Sequence, residues 1–257
     1  MQIILLIARN TLRENLRRRV LYIMIVFVLA LVALLESAAR FEQTIQVRMV
    51  KDFTYAIVSA FTLVVALICT FDQIPAEMDS KTIYLALARP ISRQKFLLGK
   101  LLGIVTVLTL FVALMGLILV GAVAMGSGRG LTLDAQLAQG LFVLYLKYVS
   151  WAALLLWLSI LMSRPLAVVL ALFVYFYGHV SGFITASIQE HGAGALDAVV
   201  TAFNFVMPKF SFLDPPGDMI YAQSYSLGSL GLLAAYAATF AILYVVLSVW
   251  TFASQEL

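Results

Sequence analysis

The sequence predicts an all-α membrane protein with six transmembrane helices, and three observations predict this fold class. Hydrophobic residues make up 63% of the 257 residues, charged residues only 12%, and the mean hydropathy is +1.02. A water-soluble domain carries about 25% charged residues, roughly twice this fraction. Six apolar segments reach or approach the roughly 20 residues that cross a bilayer as a helix. None of them alternates polar and apolar residues as a membrane β-strand does.

Residues 1–19 predict an amphipathic helix that lies along the membrane surface and bends into the first span. Its basic face carries arginines every four residues, at Arg9, Arg13 and Arg17. A second face with the same spacing is apolar and carries Ile4, Ala8, Leu12 and Leu16. A plain basic cluster that only orients the protein is the alternative. The basic region is too long for a signal peptide, so we expect an uncleaved first span.

The whole chain is predicted to be one transmembrane domain. The six spans are Val20–Leu35 with an extension to Ala39, Phe53–Phe71, Leu101–Met125, Gly140–Met162, Leu166–Ala186 and Leu230–Phe252. Only Ser163, Arg164 and Pro165 part the fourth span from the fifth, which predicts a tight helical hairpin. The longest polar stretches are an inner loop over residues 72–100 and an outer loop over residues 187–229.

The basic residues predict that both termini lie in the cytoplasm. With that orientation, 11 of the 17 lysines and arginines lie on the inner side and five on the outer side. Cytoplasmic loops carry such an excess of basic residues. The net charge of +4 is therefore a topology signal, and we expect no nucleic-acid partner.

The sequence lacks the motifs of an intramembrane enzyme or an ATPase. His179 is two residues from Ser181, so the two side chains point to different sides of one helix. With two histidines in the chain, there is no His-Glu-x-x-His zinc motif. The glycines of residues 126–130 lack the Gly-Lys-Ser/Thr ending of a phosphate-binding loop. We expect no catalytic residue, no metal site and no cofactor bound by this chain.

The inner loop predicts a short helix that needs a covering surface. Residues 80–88 form the helix, which stops before Pro90 because a proline disfavours helical geometry in the residue before it. Ser92 can cap the next helix. The apolar side chains of Ile83, Leu85 and Leu87 require a partner, which is either another protein or the rest of the bundle.

The same loop resembles that of a known family. The inner loop resembles the pattern of type-2 ABC transporter permeases at Glu77, Lys81-Thr82, Leu85, the run 87–93 (Leu-Ala-Arg-Pro-Ile-Ser-Arg) and Gly99-Lys100. Within that family the chain is most similar to the permeases grouped with the nitrous-oxide-reductase copper-maturation system. The outer stretch 206–214, centred on Pro208, is similar to a stretch in that group.

The resemblance implies a permease subunit, an exporter of the bacterial inner membrane. In such proteins the short helix docks on a separate ATP-binding subunit, which binds and hydrolyses the ATP. The residues that would make this contact are Glu77, Lys81, Thr82, Ile83, Tyr84, Leu87, Arg89 and Arg93. The resemblance also implies a second permease copy, the same or different, and a periplasmic accessory protein as further partners, besides membrane lipid.

Two polar residues lie inside predicted spans. Lys147 lies about 10 Å into the fourth span, from where it either snorkels to the outer surface or contacts substrate or a second copy. His179 in the fifth span either makes an interhelical hydrogen bond or has a proton or substrate role.

Two other function classes stay open. A secondary transporter or channel would need paired charges or broken helices in mid-membrane, and no Asp or Glu lies well inside a predicted span. A non-transporting scaffold of an ATPase complex would share the partner but move no substrate.

Overall fold

The computed structural model describes residues 2–18, 20–38, 43–71, 92–127, 135–191, 207–214 and 225–254, and these contain helices but no strand. Seven α-helices and one short 3-10 helix follow in chain order. They are α1 (Gln2–Arg18), α2 (Val20–Ala38), α3 (Gln43–Phe71), α4 (Arg93–Ser127), α5 (Ala135–Leu161), α6 (Arg164–His191), the 3-10 helix η1 (Phe210–Leu213) and α7 (Leu227–Ser254). The all-α prediction is confirmed for the described part of the chain.

Four of these helices are long and apolar enough to cross a membrane. Their apolar stretches are Gln94–Gly121, Gln136–Leu161, Arg164–Ser187 and Leu227–Ser254, and a shorter one covers Tyr55–Phe71 in α3. Helix α2 contains the predicted first span, Val20–Leu35. The chain is therefore a multi-pass membrane protein, whereas the count of six spans and the orientation of the termini stay predictions.

Several helices extend beyond the predicted spans. Helix α3 begins at Gln43, ten residues before Phe53, and α4 runs from Arg93 to Ser127, past both ends of the predicted third span. Polar residues such as those at 43–52 can continue a helix outside the apolar layer, because a helix pairs its own backbone groups in water as well as in lipid. Hydropathy alone therefore gives spans that are shorter than the helices.

Helix α5 lies at the centre of the bundle. It contacts α3, α4, α6 and α7, and 72% of its apolar stretch is buried, against 28% in α6 and 11% in α7. It runs antiparallel to α4 and α6 and parallel to α7. A helix that is apolar on all sides is suited to such a buried position.

The bundle has two ends that can be told apart by their contacts. At one end Phe96 stacks on Phe252, with ring centroids 6.5 Å apart. At the other end Gln139 exchanges two hydrogen bonds with the backbone of Tyr225, at 2.8 and 3.4 Å. We call these the α1 end and the Asp214 end, after the elements that pack there.

Helix α1 packs against the first turns of α4 at two glycines. A β-carbon at Gly99 would lie 2.8 Å from Cβ of Ile7, and one at Gly103 would lie 2.5 Å from Cβ of Thr11. Ala8 and Thr11 are buried there. The absence of side chains at the two glycines lets the helices approach closely, as small residues do in membrane helix pairs.

The predicted faces of α1 are partly right. Arg9 and Arg13 are exposed, as expected for a basic face. The buried face, however, runs through Ala8 and Thr11, while Leu12 is only half-buried. The short side chain of Thr11 fits against Gly103 of α4. A hydropathy pattern does not predict that a threonine is buried at such a contact.

The predicted hairpin between the fourth and fifth spans is confirmed. Helix α5 ends at Leu161, α6 begins at Arg164, and the two helices pack against each other. The backbone N–H of Ala167 donates to the carbonyl of Ser163 at 2.9 Å, which closes the first turn of α6.

Candidate functional site

Three charged or titratable side chains from separate elements meet near the midpoint of α5, in the half of the bundle that faces the Asp214 end. Nζ of Lys147 on α5 lies 2.6 Å from Oδ1 of Asp214, and Nε2 of His179 on α6 lies 2.9 Å from Oδ2 of the same carboxylate. Nζ of Lys147 is also 3.0 Å from Nε2 of His179. Each of the three thus contacts both of the others. We call this group the Lys147 cluster.

Lys147 is buried to a degree that is rare for a lysine. Only 1% of the residue is exposed, and it lies about 18 Å along the helix axis from the start of α5 at Ala135. Its ammonium lies 5.4 Å from the ring centroid of Tyr148 and 5.2 Å from that of Tyr175. The electron-rich faces of the two rings add cation–π attraction to the ion pair with Asp214.

The two tyrosines connect the Lys147 cluster to α3. The Tyr148 hydroxyl donates to the backbone carbonyl of Ser59 at 2.6 Å. It also lies 2.8 Å from the Ser59 hydroxyl and 3.1 Å from the Tyr175 hydroxyl. Because Ser59 belongs to α3, three helices contribute to the wall of the cluster.

A backbone carbonyl fixes which nitrogen of His179 faces the ion pair. Nδ1 lies 2.7 Å from the carbonyl oxygen of Tyr175, and a carbonyl can only accept, so Nδ1 carries a proton. Nε2 therefore faces Lys147 and Asp214. It accepts from Lys147 when the ring is neutral and donates to Asp214 when the ring is protonated.

The surroundings of Asp214 favour its charged form. Burial opposes ionisation, but the hydrogen bond from His179 and the positive charge of Lys147 outweigh it, so the pKa of this carboxyl lies below its usual value. Asp214 is 35% exposed in its side chain, whereas that of Lys147 is 2% exposed. The carboxylate thus lies on the open side of the cluster and the ammonium on the closed side.

The segment 207–214, which carries Asp214, packs against three helices. Phe210 is completely buried, and its ring lies against Tyr175 and His179, with centroids 5.8 and 6.2 Å apart. Leu213 is buried among side chains of α5 and α7. The N–H of Lys209 donates to the hydroxyl of Tyr236 on α7 at 2.8 Å.

Gly178 makes the approach of this segment to α6 possible. A β-carbon at Gly178 would lie 2.6 Å from Cδ2 of Phe210 and 2.7 Å from the carbonyl oxygen of Pro208. Any side chain there would push the segment away from the helix. The glycine next to His179 therefore sets how close Asp214 can come.

The structure corrects one interpretation of Lys147. The lysine does not snorkel to a surface, because Asp214 on the folded-back segment reaches its ammonium inside the bundle. His179 does make hydrogen bonds between elements, to Lys147 and Asp214. A contact of either residue with substrate or with a second copy stays a prediction.

The predicted ATPase-coupling residues lie mostly outside the described part of the chain. These are Glu77, Lys81, Thr82, Ile83, Tyr84, Leu87 and Arg89. Arg93 is the first residue of α4, directly after the exposed Ser92, and the N–H of Phe96 donates to the Ser92 carbonyl at 3.2 Å. The new helix therefore starts where the sequence predicts.

The three predicted arginines of the interfacial helix belong to α1. Arg9 and Arg13 are exposed, and Arg17 lies in the last turn of the helix. Helix α1 packs on α4 at Gly99 and Gly103, whereas the Lys147 cluster is built from α5, α6 and the 207–214 segment. The structure thus does not bring the two sets of predicted polar residues together.

The sequence did not single out Asp214, Gly178 or Trp151 as site residues. Trp151 is completely buried one turn after Lys147, and its ring lies 5.4 Å from that of Tyr175. The sequence contains one signal for the contact with Asp214, because a lysine inside an apolar span needs an anionic partner. Among the described residues, no three His, Cys, Asp or Glu side chains are grouped so that they could hold a metal ion.

Comparison with protein-family models identifies the family of the chain. The model of the family described as "ABC-2 family transporter protein" matches residues 5–256. The chain belongs to the ABC-2 transporter family. No curated protein matches the sequence. The ABC-2 match supports the predicted membership of an ABC permease family at this coarse level, and the closer resemblance to copper-maturation permeases stays a prediction.

Proposed function

We propose that the protein is the membrane-spanning permease subunit of an ATP-driven exporter in a bacterial inner membrane. The observation that carries this proposal is the ABC-2 family match over residues 5–256, nearly the whole chain. A multi-pass helical bundle is the architecture that such a subunit requires. The chain itself carries no phosphate-binding loop, so ATP hydrolysis belongs to a partner subunit.

The coupling site of this proposal is the inner loop 72–100. Its apolar short helix at 80–88 would insert into the ATPase, with Glu77 before it and Arg89 and Arg93 after it. The loop leads directly into α4, which packs against α1 at Gly99 and Gly103. A movement of the ATPase would therefore reach α1 and α4 together.

The arrangement across the membrane is part of the same proposal. Six spans with both termini in the cytoplasm place the α1 end inside and the Asp214 end outside. Two permease copies would act with two ATPase subunits, and the Lys147 cluster would lie near the outer mouth, where an accessory protein can reach it.

The experiment that tests the proposal is Leu87→Asp in the full chain, expressed together with its ATPase. A charge in the middle of the apolar short helix should reduce co-purification of the ATPase and ATP-stimulated transport, because burying an unpaired charge in an interface is costly. Leu227→Asp is the matched control, since Leu227 is 89% exposed at the opposite end of the bundle. Unchanged co-purification and transport with Leu87→Asp would refute the coupling site.

One observation favours a second candidate function, a secondary transporter. Paired charges buried in a helical bundle are what such a protein needs, and Lys147, His179 and Asp214 supply them. Transport by the purified chain alone, driven by an ion gradient and unaffected by ATP, would support this function over the ABC permease.

A further inference from the structure

The buried ammonium of Lys147 needs an anion in every conformation of the bundle. A buried charge that loses its partner is strongly destabilising, because the low-dielectric interior does not replace the lost interaction. The carboxylate that meets this need in the described structure is Asp214, at 2.6 Å. It comes from the 207–214 segment and not from a transmembrane helix.

The contacts that hold the 207–214 segment therefore decide whether Asp214 stays at Lys147. The 207–214 segment is held by buried Pro208, Phe210 and Leu213, by the ring contact of Phe212 with Tyr236 and by the hydrogen bond from Lys209 to Tyr236. The ion pairs of Asp214 add to these contacts. The segment lies across the Asp214 end of the bundle, over α5, α6 and α7. If these helices separate at that end during transport, Asp214 has to leave Lys147.

The neighbourhood of Lys147 also contains hydrogen-bond donors without an acceptor. The indole N–H of Trp151 and the hydroxyl of Tyr55 are buried and have no hydrogen-bond partner. Trp151 lies on the same face of α5 as Lys147, and its ring contacts Tyr175, over which the lysine lies. Tyr55 lies one turn before Ser59 on α3, and the carbonyl of Ser59 accepts from Tyr148. The helices around the cluster therefore carry two buried donors, on Trp151 and Tyr55, that have no acceptor among the described residues.

We propose that Lys147 and His179 form a binding site for an oxyanion, a carboxylate or phosphate group of the transported molecule, which Asp214 occupies until the substrate replaces it. The exchange of one anion for another keeps Lys147 paired throughout. An oxyanion that extends from Lys147 towards Trp151 would also give this unpaired indole N–H an acceptor. The proposal rests on the proposed function only in assigning the anion to the transported molecule.

The first test empties the site with Asp214→Gly in the full chain, held in phosphatidylcholine nanodiscs. The variant should unfold at a lower temperature than the wild type. Sodium acetate or sodium phosphate should then raise its Tm saturably, by about 5 °C at saturation, because a bound anion stabilises the folded state. Sodium chloride at equal ionic strength is the salt control.

The matched control is the double variant Lys147→Met with Asp214→Gly, which has the same space without the cation. It should show no saturable response to acetate or phosphate. An equal response in both variants, or no response in Asp214→Gly, would overturn the proposal.

A measurement on the wild-type chain covers the case in which Asp214→Gly does not fold. Phosphate that competes with Asp214 should release the 207–214 segment, so hydrogen exchange of this segment should become several-fold faster with phosphate than with chloride. Unchanged exchange in saturating phosphate would contradict the competition.

The unpaired donors are tested separately. In the Asp214→Gly background, Trp151→Phe should weaken the binding of phosphate about tenfold, the effect of one hydrogen bond to a charged group. Trp157→Phe is the matched control, because its indole N–H already donates to Thr251 at 3.1 Å. Equal affinities in the two variants would exclude Trp151 from the site.

The source of the oxyanion is distinguished by the lipid. If phosphatidylglycerol nanodiscs alone stabilise Asp214→Gly but not the Lys147→Met double variant, the anion is a lipid headgroup. If only soluble acetate or phosphate does so, it is a free solute. These tests contain no ATPase, so their failure leaves the ABC permease proposal standing, and the failure of the Leu87→Asp test leaves the anion site standing.

Discussion

At the α1 end of the bundle, α1 is held against α4 by close contact at Gly99 and Gly103. At the Asp214 end, the 207–214 segment is held against α5 and α6 by the charges of Lys147, His179 and Asp214. The contact between α1 and α4 depends on the small volume of the two glycines, and the atoms nearest to a β-carbon at either glycine belong to uncharged residues. The second contact includes an ion pair, and in our proposal another anion replaces Asp214 in it.

The difference indicates that the contacts at the Asp214 end can rearrange more readily than those at the α1 end. Close packing between small residues has no equivalent partner to switch to, because any gap simply loses dispersion contacts. At Lys147 the exchange of one anion for another would keep the ammonium paired, whereas loss of the anion alone would leave a buried charge. We therefore expect α1 and α4 to move as one body, and the 207–214 segment to dock and undock.

The largest effect is expected from Asp214→Asn. It leaves the buried ammonium of Lys147 without an anion, and the free energy of unfolding should fall by about 3–5 kcal/mol. Reversible unfolding in mixed micelles measures this. The double variant with Lys147→Met contains no unpaired charge and should lose much less, and a loss as large as that of the single variant would contradict the charge-based contact.

A smaller effect, about 1–3 kcal/mol, is expected from Gly103→Ala at the other end. The added methyl group would lie 2.5 Å from Cβ of Thr11 and force α1 away from α4. Gly121→Ala in the same helix is the control, since nothing lies within 4 Å of its added β-carbon, and it should stabilise the helix slightly. Equal stability of the two variants would argue against tight packing at Gly103.

Gly178→Ala should act mainly on the 207–214 segment. The methyl group would meet Phe210 and the backbone of Pro208, so the segment should undock while the helices remain folded, at a cost of about 1–2 kcal/mol. Hydrogen exchange should become faster in residues 207–214 and stay unchanged in α1. Faster exchange in both regions would mean that the two ends are not independent.

The smallest effect is expected from pH. The pKa of Asp214 is depressed in the folded state, so its stabilising contribution is present above the usual carboxyl pKa of about 3.9 and is lost as pH falls through the lower folded value. The difference in Tm between the wild type and Asp214→Asn should stay constant from pH 8 to pH 5 and shrink only in stronger acid. A difference that shrinks near pH 6 would show that another group controls the cluster.

The sequence is sufficient to predict the all-α class and the order of the helices in the described part of the chain. The hairpin between α5 and α6 follows from the polar break at Ser163 and Arg164, and the start of α4 follows from Pro90 and Ser92. These are local signals, carried by residues within a few positions of the feature they predict.

The Lys147 cluster could be predicted only in part, because its members meet through the fold. Lys147 and Asp214 are 67 residues apart, and eight acidic residues on the predicted outer side were equal candidates for the lysine. Asp214 is the partner because its segment approaches α6 closely at Gly178 and buries Phe210. Both contacts depend on tertiary packing and cannot be read from the sequence. The four-residue spacing of Gly99 and Gly103 can also be read from the sequence and indicates a close helix contact. The sequence does not indicate that α1 is the helix that packs there.

Helix α5 has one further consequence. It is an unbroken helix that carries Lys147 and, ten residues later, Trp157, whose indole pairs with Thr251 of α7. About 15 Å of helix separates the two residues, and helices of this length bend only gently. A tilt of α5 at the α1 end should therefore displace Lys147 near the middle of the helix, and we expect it to change the distance between the ammonium and Asp214.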